Sequence, residues 1–411
     1  MIARIRPRPL RGKLRAIPSK SEAHRLLICA ALADAPTQLV MGEGNQDIDA
    51  TIRCLTALGA RVERNARGLR VSPIARARES CAADCGESGS TLRFLLPVAA
   101  ALGADARFLM RGRLPQRPIA PLDRALESGG CALSRPEEAA LRIRGKLRPG
   151  KYALPGDVSS QYISGMLMAL SVAGGESELR VEGRLESADY VEMTVAALTA
   201  FGAKIARAGN AFRLPARSRL ESPGEISVGG DWSNAAFWLC ANALPGCAIE
   251  LSGLDEASAQ GDRRIVSEIA KLRARGETPA RVDASNIPDL MPALAACAAG
   301  LERPLIVENA ARLRIKESDR ISAICGTIRA LGGRAQARAD SLDILPAPLR
   351  GGDVDACGDH RIAMMAAVAS IACSGEVRIS GAEAVNKSYP GFWRDFRALG
   401  GDVELSEEEN A

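Results

Sequence analysis

The sequence predicts an α/β (α+β) protein of two domains, assembled from six repeats of one small α/β unit. Three observations lead there: the length, a glycine that recurs at the ends of helical stretches, and a polar cluster that recurs at their beginnings. At 411 residues the chain exceeds what one hydrophobic core ordinarily encloses, so two domains are expected. The glycine landmark has the form apolar-x-x-x-Gly. It occurs as Leu55–Gly59, Ala125–Gly129, Leu198–Gly202, Leu272–Gly276, Ile328–Gly332 and Phe396–Gly400. Glycine just past a helix end adopts the left-handed cap that other residues resist, and all six are read as such caps. The polar landmark lies upstream and opens a stretch rich in Ala, Leu, Ile and Met. It centres on Lys20-Ser21, Ser90-Thr91, Ser159-Ser160, Ser233-Asn234, Asp289 and His360. Roughly forty residues separate each opening from its glycine, a regularity that marks an internal repeat. A repeat of roughly 55 to 75 residues is too long for a one-dimensional solenoid and suits helices plus a few strands.

Composition narrows the function. Hydrophobic residues at 47% and charged residues at 25% describe a soluble globular chain. No apolar run reaches the length of a membrane-spanning helix. The N-terminus (Arg4, Arg6, Arg8, Arg11, Lys13, Arg15) reads as a basic first strand and lacks the apolar segment of a signal peptide, so the cytosol is expected. Eleven cysteines, an odd number scattered along the chain, read as reduced and mostly buried thiols. Two histidines, His24 and His360, exclude a multi-histidine metal centre, and no metal or organic cofactor is expected. The net charge of +5 is dispersed and aromatics are 3%, which disfavours nucleic acid and points to small anionic substrates.

The six openings carry the chemistry, because a helix N-terminus presents unpaired N–H groups and partial positive charge to anions. In Pro18-Ser-Lys-Ser-Glu-Ala-His-Arg25 a lysine, a hydroxyl and an arginine lie within two turns and can grip a carboxylate or phosphate. Gly86-Glu-Ser-Gly-Ser-Thr-Leu-Arg93 offers backbone N–H groups for close approach and an arginine at i+4 from Gly89. Leu114-Pro-Gln-Arg-Pro-Ile119 brackets Arg117 between prolines, the rigidity a guanidinium–carboxylate clamp requires. Ordinary N-capping accounts for Ser233-Asn234 as well as anion binding does. Ile287-Pro-Asp289, Ile315-Lys-Glu-Ser-Asp-Arg320, Gly358-Asp-His-Arg361 and Asn386-Lys-Ser-Tyr-Pro390 concentrate charge beside apolar neighbours, which suggests loops pressed against a core rather than solvated faces.

These motifs, from Pro18-Ser-Lys-Ser21 through Lys316-Glu-Ser-Asp-Arg320 and Asp359-His-Arg361 to Asn386-Lys-Ser-Tyr-Pro390, resemble those of the 5-enolpyruvylshikimate-3-phosphate synthase family along the full chain. The resemblance implies an inside-out α/β barrel in two domains of three repeats each. Residues 1–16 and 229–411 would form one domain and 17–228 the other, with the active site in the cleft between them. It also implies transfer of the enolpyruvyl group of phosphoenolpyruvate to the 5-hydroxyl of shikimate 3-phosphate. Carried over by motif, Lys20, Gly89, Arg117, Arg320, Arg361 and Lys387 surround phosphoenolpyruvate. Lys20, Ser21, Arg25, Ser159, Ser160, Gln161, Ser187, Tyr190, Asp289 and Lys316 hold shikimate 3-phosphate. Asp289 and Glu317 carry proton transfer, Lys20 shares it, and His360 completes the reaction centre. Glu87 and Ser90 stand where the family usually has Asn and Thr, and Arg312 where some members have Asn. Glyphosate, which lies against the residue at Gly89 in this family, is a candidate inhibitor.

The chemistry implied is addition followed by elimination. The 5-hydroxyl attacks C2 while C3 takes a proton; phosphate then leaves and C3 loses a proton. Eight cations (Lys20, Arg25, Arg93, Arg117, Lys316, Arg320, Arg361, Lys387) face only Asp289 and Glu317 in this reading. Such an excess would close the domains around the anionic substrates. Glu317 is expected as a proton carrier and not as a partner that positions Arg320. Two rival readings fit the sequence less well. UDP-N-acetylglucosamine enolpyruvyl transferases carry Lys-Asn where this chain has Lys20-Ser21 and a reactive loop cysteine that Arg111–Arg117 lacks. A nucleic-acid-binding α/β repeat protein would need a basic stripe and stacking aromatics. A monomer is expected.

Overall fold

A computed structural model describes residues 1–274 and 278–407. The chain divides into two compact units, Pro18–Gly229 and Met1–Ile17 joined with Gly230–Ala411.

In the unit Pro18–Gly229 the helices are α1 (Lys20–Ala31), α2 (Gln46–Leu58), α3 (Gly89–Leu102), α4 (Leu122–Ser128), α5 (Ser160–Leu170) and α6 (Ala188–Ala200). Three are buried almost all round: Ala23–Ala31 of α1, Thr91–Ala101 of α3 and Tyr162–Leu170 of α5. That is why these stretches are mostly apolar instead of striped, with His24, Arg25, Arg93 and Ser164 among the buried exceptions. Helices α3 and α5 pack together. Gly165 makes the approach feasible, since a Cβ there would collide with the Arg93 carbonyl oxygen. Around these helices lie three four-stranded sheets whose strands alternate buried and exposed, as in Asp105–Met110 and Lys151–Pro155.

Each sheet repeats one plan. Lys151–Pro155 and Ser177–Glu182 run parallel with α5 between them, and the hairpin Ala206–Ala208/Ala211–Leu214 adds two antiparallel strands. The sheet of Ser80–Gly86, Asp105–Met110, Ala140–Arg144 and Ala132–Glu137 follows the same order around α3. In the third sheet Thr37–Val40, Gly68–Ser72 and Arg61–Asn65 are joined by Glu225–Ser227, from the far end of the unit.

In the second unit the helices are α7 (Trp232–Ala243), α8 (Ile265–Arg273), α9 (Met291–Gly300), α10 (Arg320–Ala330), α11 (His360–Ser370) and α12 (Phe392–Ala398). Helices α9 and α11 are buried along nearly their whole length. One sheet orders Ala280–Asp283, Leu305–Glu308, Leu342–Leu345 and Arg334–Ala337; another orders Gly352–Asp355, Val377–Ser380, Ile2–Arg6 and Asp402–Ser406. Arg11–Arg15 pairs in parallel with Ala248–Ser252 to make the sixth, two-stranded sheet. The crossings thus exchange first strands. Arg11–Arg15 precedes α1 but pairs with the strand after α7, and Glu225–Ser227 precedes α7 but pairs with the strand after α1.

The glycine landmark needs one correction. Gly59, Gly202, Gly332 and Gly400 have positive φ, but at the second repeat the left-handed residue is Gly130, and Gly129 is right-handed at φ −77°. Gly129 is instead tightly packed, and a Cβ there would push on the ends of the Leu147 and Tyr152 side chains at 2.5 and 2.7 Å. Gly276 lies outside the described residues. All eleven cysteines are free thiols. Among the described residues no helix is long and apolar enough to cross a membrane.

Candidate active site

In the unit Pro18–Gly229 the polar openings sit at the first turns of α1, α3 and α5, where Ser19, Ser88 and Ser159 cap the helices by accepting backbone N–H bonds. Lys20 Nζ donates to Asp47 Oδ2 at 2.9 Å, with both side chains largely buried. Arg25 is buried and fully engaged. Its Nε donates to Thr194 Oγ1 at 2.7 Å, Nη1 to the Ser21 carbonyl at 2.6 Å and Nη2 to the Tyr190 carbonyl at 2.7 Å. Ser164 Oγ lies 3.4 Å from Nη2, and the guanidinium sits 5.0 Å from the Phe94 ring centre. Burial pushes the Arg25 pKa down to about 10, offset in part by Tyr190. Arg25 therefore stays charged at neutral pH. Ser187 is buried at the start of α6 in a left-handed conformation, φ +53°, a strained backbone for a non-glycine residue.

Gly89 begins α3 where two guanidiniums converge. A Cβ there would lie 2.7 Å from Arg117 Nη1 and 3.0 Å from Arg93 Nη1. Arg93 Nη1 donates to Gln161 Oε1 at 2.9 Å, and Gln161 Nε2 donates to Ser90 Oγ at 2.9 Å. The Pro118 carbonyl accepts from both Tyr162 Oη at 2.6 Å and Arg93 Nη2 at 3.1 Å, which fixes the backbone that follows Arg117. The structure therefore groups Lys20 with Asp47, Gly89 with Arg93 and Arg117, and Ser21, Arg25 and Tyr190 with one another.

The second unit gathers its charges around one carboxylate. Asp289 Oδ1 accepts from Arg320 Nη1 at 2.7 Å and Lys316 Nζ at 3.4 Å, and Oδ2 lies 3.4 Å from Arg361 Nη2. Arg361 also donates to the Asp289 carbonyl at 2.9 Å and to Ser233 Oγ at 2.8 Å. Arg320, 1% exposed, reaches Asp359 Oδ2 through Nε at 2.8 Å and Glu317 Oε2 through Nη2 at 2.7 Å. Asp359 caps α11 through the Arg361 N–H at 3.0 Å and accepts from Ser318 Oγ at 3.0 Å. His360 Nδ1 lies 3.7 Å from Asp359 Oδ1. Lys387 is buried at the end of the turn Ala382–Lys387, next to Ser388, whose hydroxyl donates to Asn234 Oδ1 at 3.3 Å.

Burial alone would raise the Asp289 pKa, but Arg361, Lys316 and Arg320 outweigh it and hold the carboxyl well below its usual range. Burial lowers Lys316 to about 8, against the pull of Asp289. Arg320 is pushed upward, because Asp359, Glu317 and Asp289 overcome the effect of burial.

Two expectations are corrected. Glu317 is a direct ion-pair partner of Arg320, so a positioning contact coexists with any proton transfer. The charge balance lacked Asp47 and Asp359, each bound to a cation of the set, so the cation excess is smaller than the sequence suggests. Asp289 stands at the opening of α9, in the 3-10 turn Pro288–Leu290 that runs into the helix. Ser233, assigned equally well to capping, instead accepts from Arg361, while Asp231 caps α7. Thr194, Ser164 and Tyr162 were missed, since nothing local in the sequence marks a residue that bonds a guanidinium two helices away.

A model of the EPSP synthase (3-phosphoshikimate 1-carboxyvinyltransferase) family matches residues 5–396. The chain is 38% identical to the 3-phosphoshikimate 1-carboxyvinyltransferase of Clostridium kluyveri over 97% of each chain. It is 36% identical to that of Clostridium acetobutylicum, again over 97% of each. Its structure resembles that of an Acinetobacter baumannii EPSP synthase with a TM-score of 0.80, at 25% identity, covering 99% of this chain and 100% of the other.

Proposed function

Because the chain belongs to the EPSP synthase (3-phosphoshikimate 1-carboxyvinyltransferase) family, we propose that its two sets of polar residues serve one reaction. That reaction is transfer of the enolpyruvyl group from phosphoenolpyruvate to the 5-hydroxyl of shikimate 3-phosphate, with release of phosphate. The observation that carries the reading is the convergence of Lys316, Arg320 and Arg361 on Asp289. A carboxylate held ionised by three cations accepts a hydroxyl proton and cannot donate one at neutral pH.

In this reading Asp289 orients the attacking 5-hydroxyl and takes its proton as oxygen bonds to C2. Glu317, protonated from solvent as the anionic donor binds, delivers that proton to C3 and recovers one from C3 as phosphate leaves, while the proton held by Asp289 passes to the departing phosphate. Arg320 and Arg361, fixed by their ion pairs, face the donor carboxylate together with Lys387, while Lys20, Arg117 and the backbone at Gly89 take the phosphate. Shikimate 3-phosphate is held by Lys20, Ser21, Arg25, Ser159, Ser160, Gln161, Ser187, Tyr190 and Lys316, with His360 beside the reacting atoms. Preset donors aimed at charge that shifts during reaction need no reorganisation, which is where most of the acceleration would arise. The enzyme would work as a cytoplasmic monomer, and glyphosate would compete at the Gly89 end of the site.

The test is phosphate release by purified protein given phosphoenolpyruvate and shikimate 3-phosphate, with UDP-N-acetylglucosamine replacing the latter as control. Release with the sugar nucleotide and none with shikimate 3-phosphate would refute the reading.

A further inference from the structure

One buried chain of hydrogen bonds in the unit Pro18–Gly229 threads three helices. His24 Nδ1 of α1 lies 2.7 Å from Thr51 Oγ1 of α2, which lies 2.7 Å from Thr91 Oγ1 of α3. Thr91 Oγ1 in turn is 2.8 Å from Ser88 Oγ and 3.4 Å from the Asp47 carbonyl oxygen. His24, Thr51 and Thr91 are wholly shielded from solvent.

Each hydroxyl has one proton to give, so the chain can run in only two directions. If it runs toward His24, Thr51 donates to Nδ1 and the imidazole must carry its proton on Nε2. That nitrogen is buried with no hydrogen-bond partner among the described residues, and a buried N–H without an acceptor is the costlier arrangement. If it runs away from His24, Nδ1–H donates to Thr51, Thr51 to Thr91, and Thr91 to Ser88 or the Asp47 carbonyl. Every proton then has an acceptor, and Nε2 is a bare lone pair near Phe94, whose ring stands edge-on at 6.3 Å. The imidazole also stays neutral: burial drives its pKa to about 3 against the pull of Asp47, and Lys20 and Arg25 add to the lowering.

Both outlets of the chain reach the candidate site. Asp47 holds Lys20, and Ser88 caps the helix that begins at Gly89. We propose that His24, Thr51 and Thr91 are positioning residues of the phosphoenolpyruvate group: a one-way chain, headed by the Nδ1–H tautomer of His24, that keeps Lys20 and Gly89 in register. The inference rests on the reading of Lys20, Gly89 and Arg117 as donor-binding residues.

Two measurements on the intact enzyme test it. NMR of isotope-labelled histidine should show His24 protonated at Nδ1, bare at Nε2 and untitrated through the neutral range, with His360→Gln used only for assignment. A proton on Nε2, or an imidazolium at neutral pH, overturns the polarity. In kinetics, Thr51→Val keeps the shape but cuts both bonds. It should raise KM for phosphoenolpyruvate about tenfold and leave KM for shikimate 3-phosphate within about twofold, the scale of one lost buried hydrogen bond. His24→Asn, which retains an N–H near the place of Nδ1, should keep near-parental values. Equal changes for both substrates, or none for phosphoenolpyruvate, overturn the positioning role. Arg117→Ala lies off the chain and separates the two layers. If it leaves phosphoenolpyruvate unaffected, the donor-site reading fails. If it weakens phosphoenolpyruvate while Thr51→Val is silent, the chain alone fails. Should Thr51→Val not fold, the tautomer decides.

Discussion

Arg25 and Arg320 are both buried arginines with their donors engaged, yet their surroundings are opposite. Arg25 is held by two hydroxyls and two backbone carbonyls, all neutral, and burial lowers its proton affinity. Arg320 is held by three carboxylates, Asp359, Glu317 and Asp289, and its proton affinity rises. The difference separates two uses of one side chain. Arg25 is oriented by neutral partners, with Glu22 pulling only at a distance, so an arriving anion supplies the charge that no bonded carboxylate does. Arg320 is compensated in advance and works as a rigid strut that also fixes the carboxylates around it.

The sharpest break of this contrast is Asp359→Ala, which strands the Arg320 charge and removes the cap of α11. Stability should fall by about 3–5 kcal/mol in denaturant titration, the range for an opened buried ion pair. A loss below about 1 kcal/mol would mean that Arg320 is compensated by solvent. Next comes Glu317→Gln, which keeps size and hydrogen bonding to Arg320 but removes the titrating group. Turnover should drop roughly 100-fold while the affinity for shikimate 3-phosphate holds, and deuterium incorporation at C3 should fall with it. Near-normal turnover would leave Glu317 as a strut only. Arg25→Ala should weaken shikimate 3-phosphate by about 2 kcal/mol, roughly thirtyfold, the scale of charge-assisted bonds. If its stability falls as far as that of Asp359→Ala, the two arginines do not differ as argued.

The smallest effect comes from pH. Lys316, at about 8, is charged below that value and neutral above it in the empty protein. A bound phosphate favours the charged form, so affinity for shikimate 3-phosphate should fall as pH rises through about 8. The decline should reach about tenfold between about pH 7 and 9 and be absent in Lys316→Arg. Titration calorimetry at several pH values reads it directly, and a flat profile in the parent would place Lys316 outside the phosphate contacts.

What the sequence made legible was what is local. The openings at Lys20, Ser160 and His360 mark helix starts because the capping group sits one residue before each, and Gly59, Gly202, Gly332 and Gly400 mark turns because only glycine takes that backbone readily. Beyond their first turns, the helices α1, α3, α5, α9 and α11 announce burial by being mostly apolar on every side. What stayed hidden depends on distance along the chain. Thr194 bonds Arg25 across 169 residues, Asp47 meets Lys20 across 27 and Asp359 meets Arg320 across 39. A threonine on a helix or an aspartate at a cap looks ordinary until the fold sets it beside a guanidinium. The exchange of Arg11–Arg15 for Glu225–Ser227 was equally invisible, since each strand stands in sequence just where an unexchanged repeat would have it.

That exchange sets a timetable for synthesis. The partners of residues 2–15 lie at Ala248–Ser252, Val377–Ser380 and Asp402–Ser406, so Arg11–Arg15 must wait for more than half of the chain and Ile2–Arg6 for nearly all of it. At ordinary translation speeds the delay is on the order of tens of seconds. The unit Pro18–Gly229 has all its strands by residue 227 and can close in the meantime. Unpaired strands are adhesive, and charge along them is the usual deterrent. Arg4, Arg6, Arg8, Arg11, Lys13 and Arg15 place a cation at nearly every second position of the waiting segment, which gives this basic run a task before the enzyme exists. Ribosome-stalled chains of increasing length should become protease-resistant across Pro18–Gly229 well before residues 2–15 gain protection, and simultaneous protection would contradict the timetable.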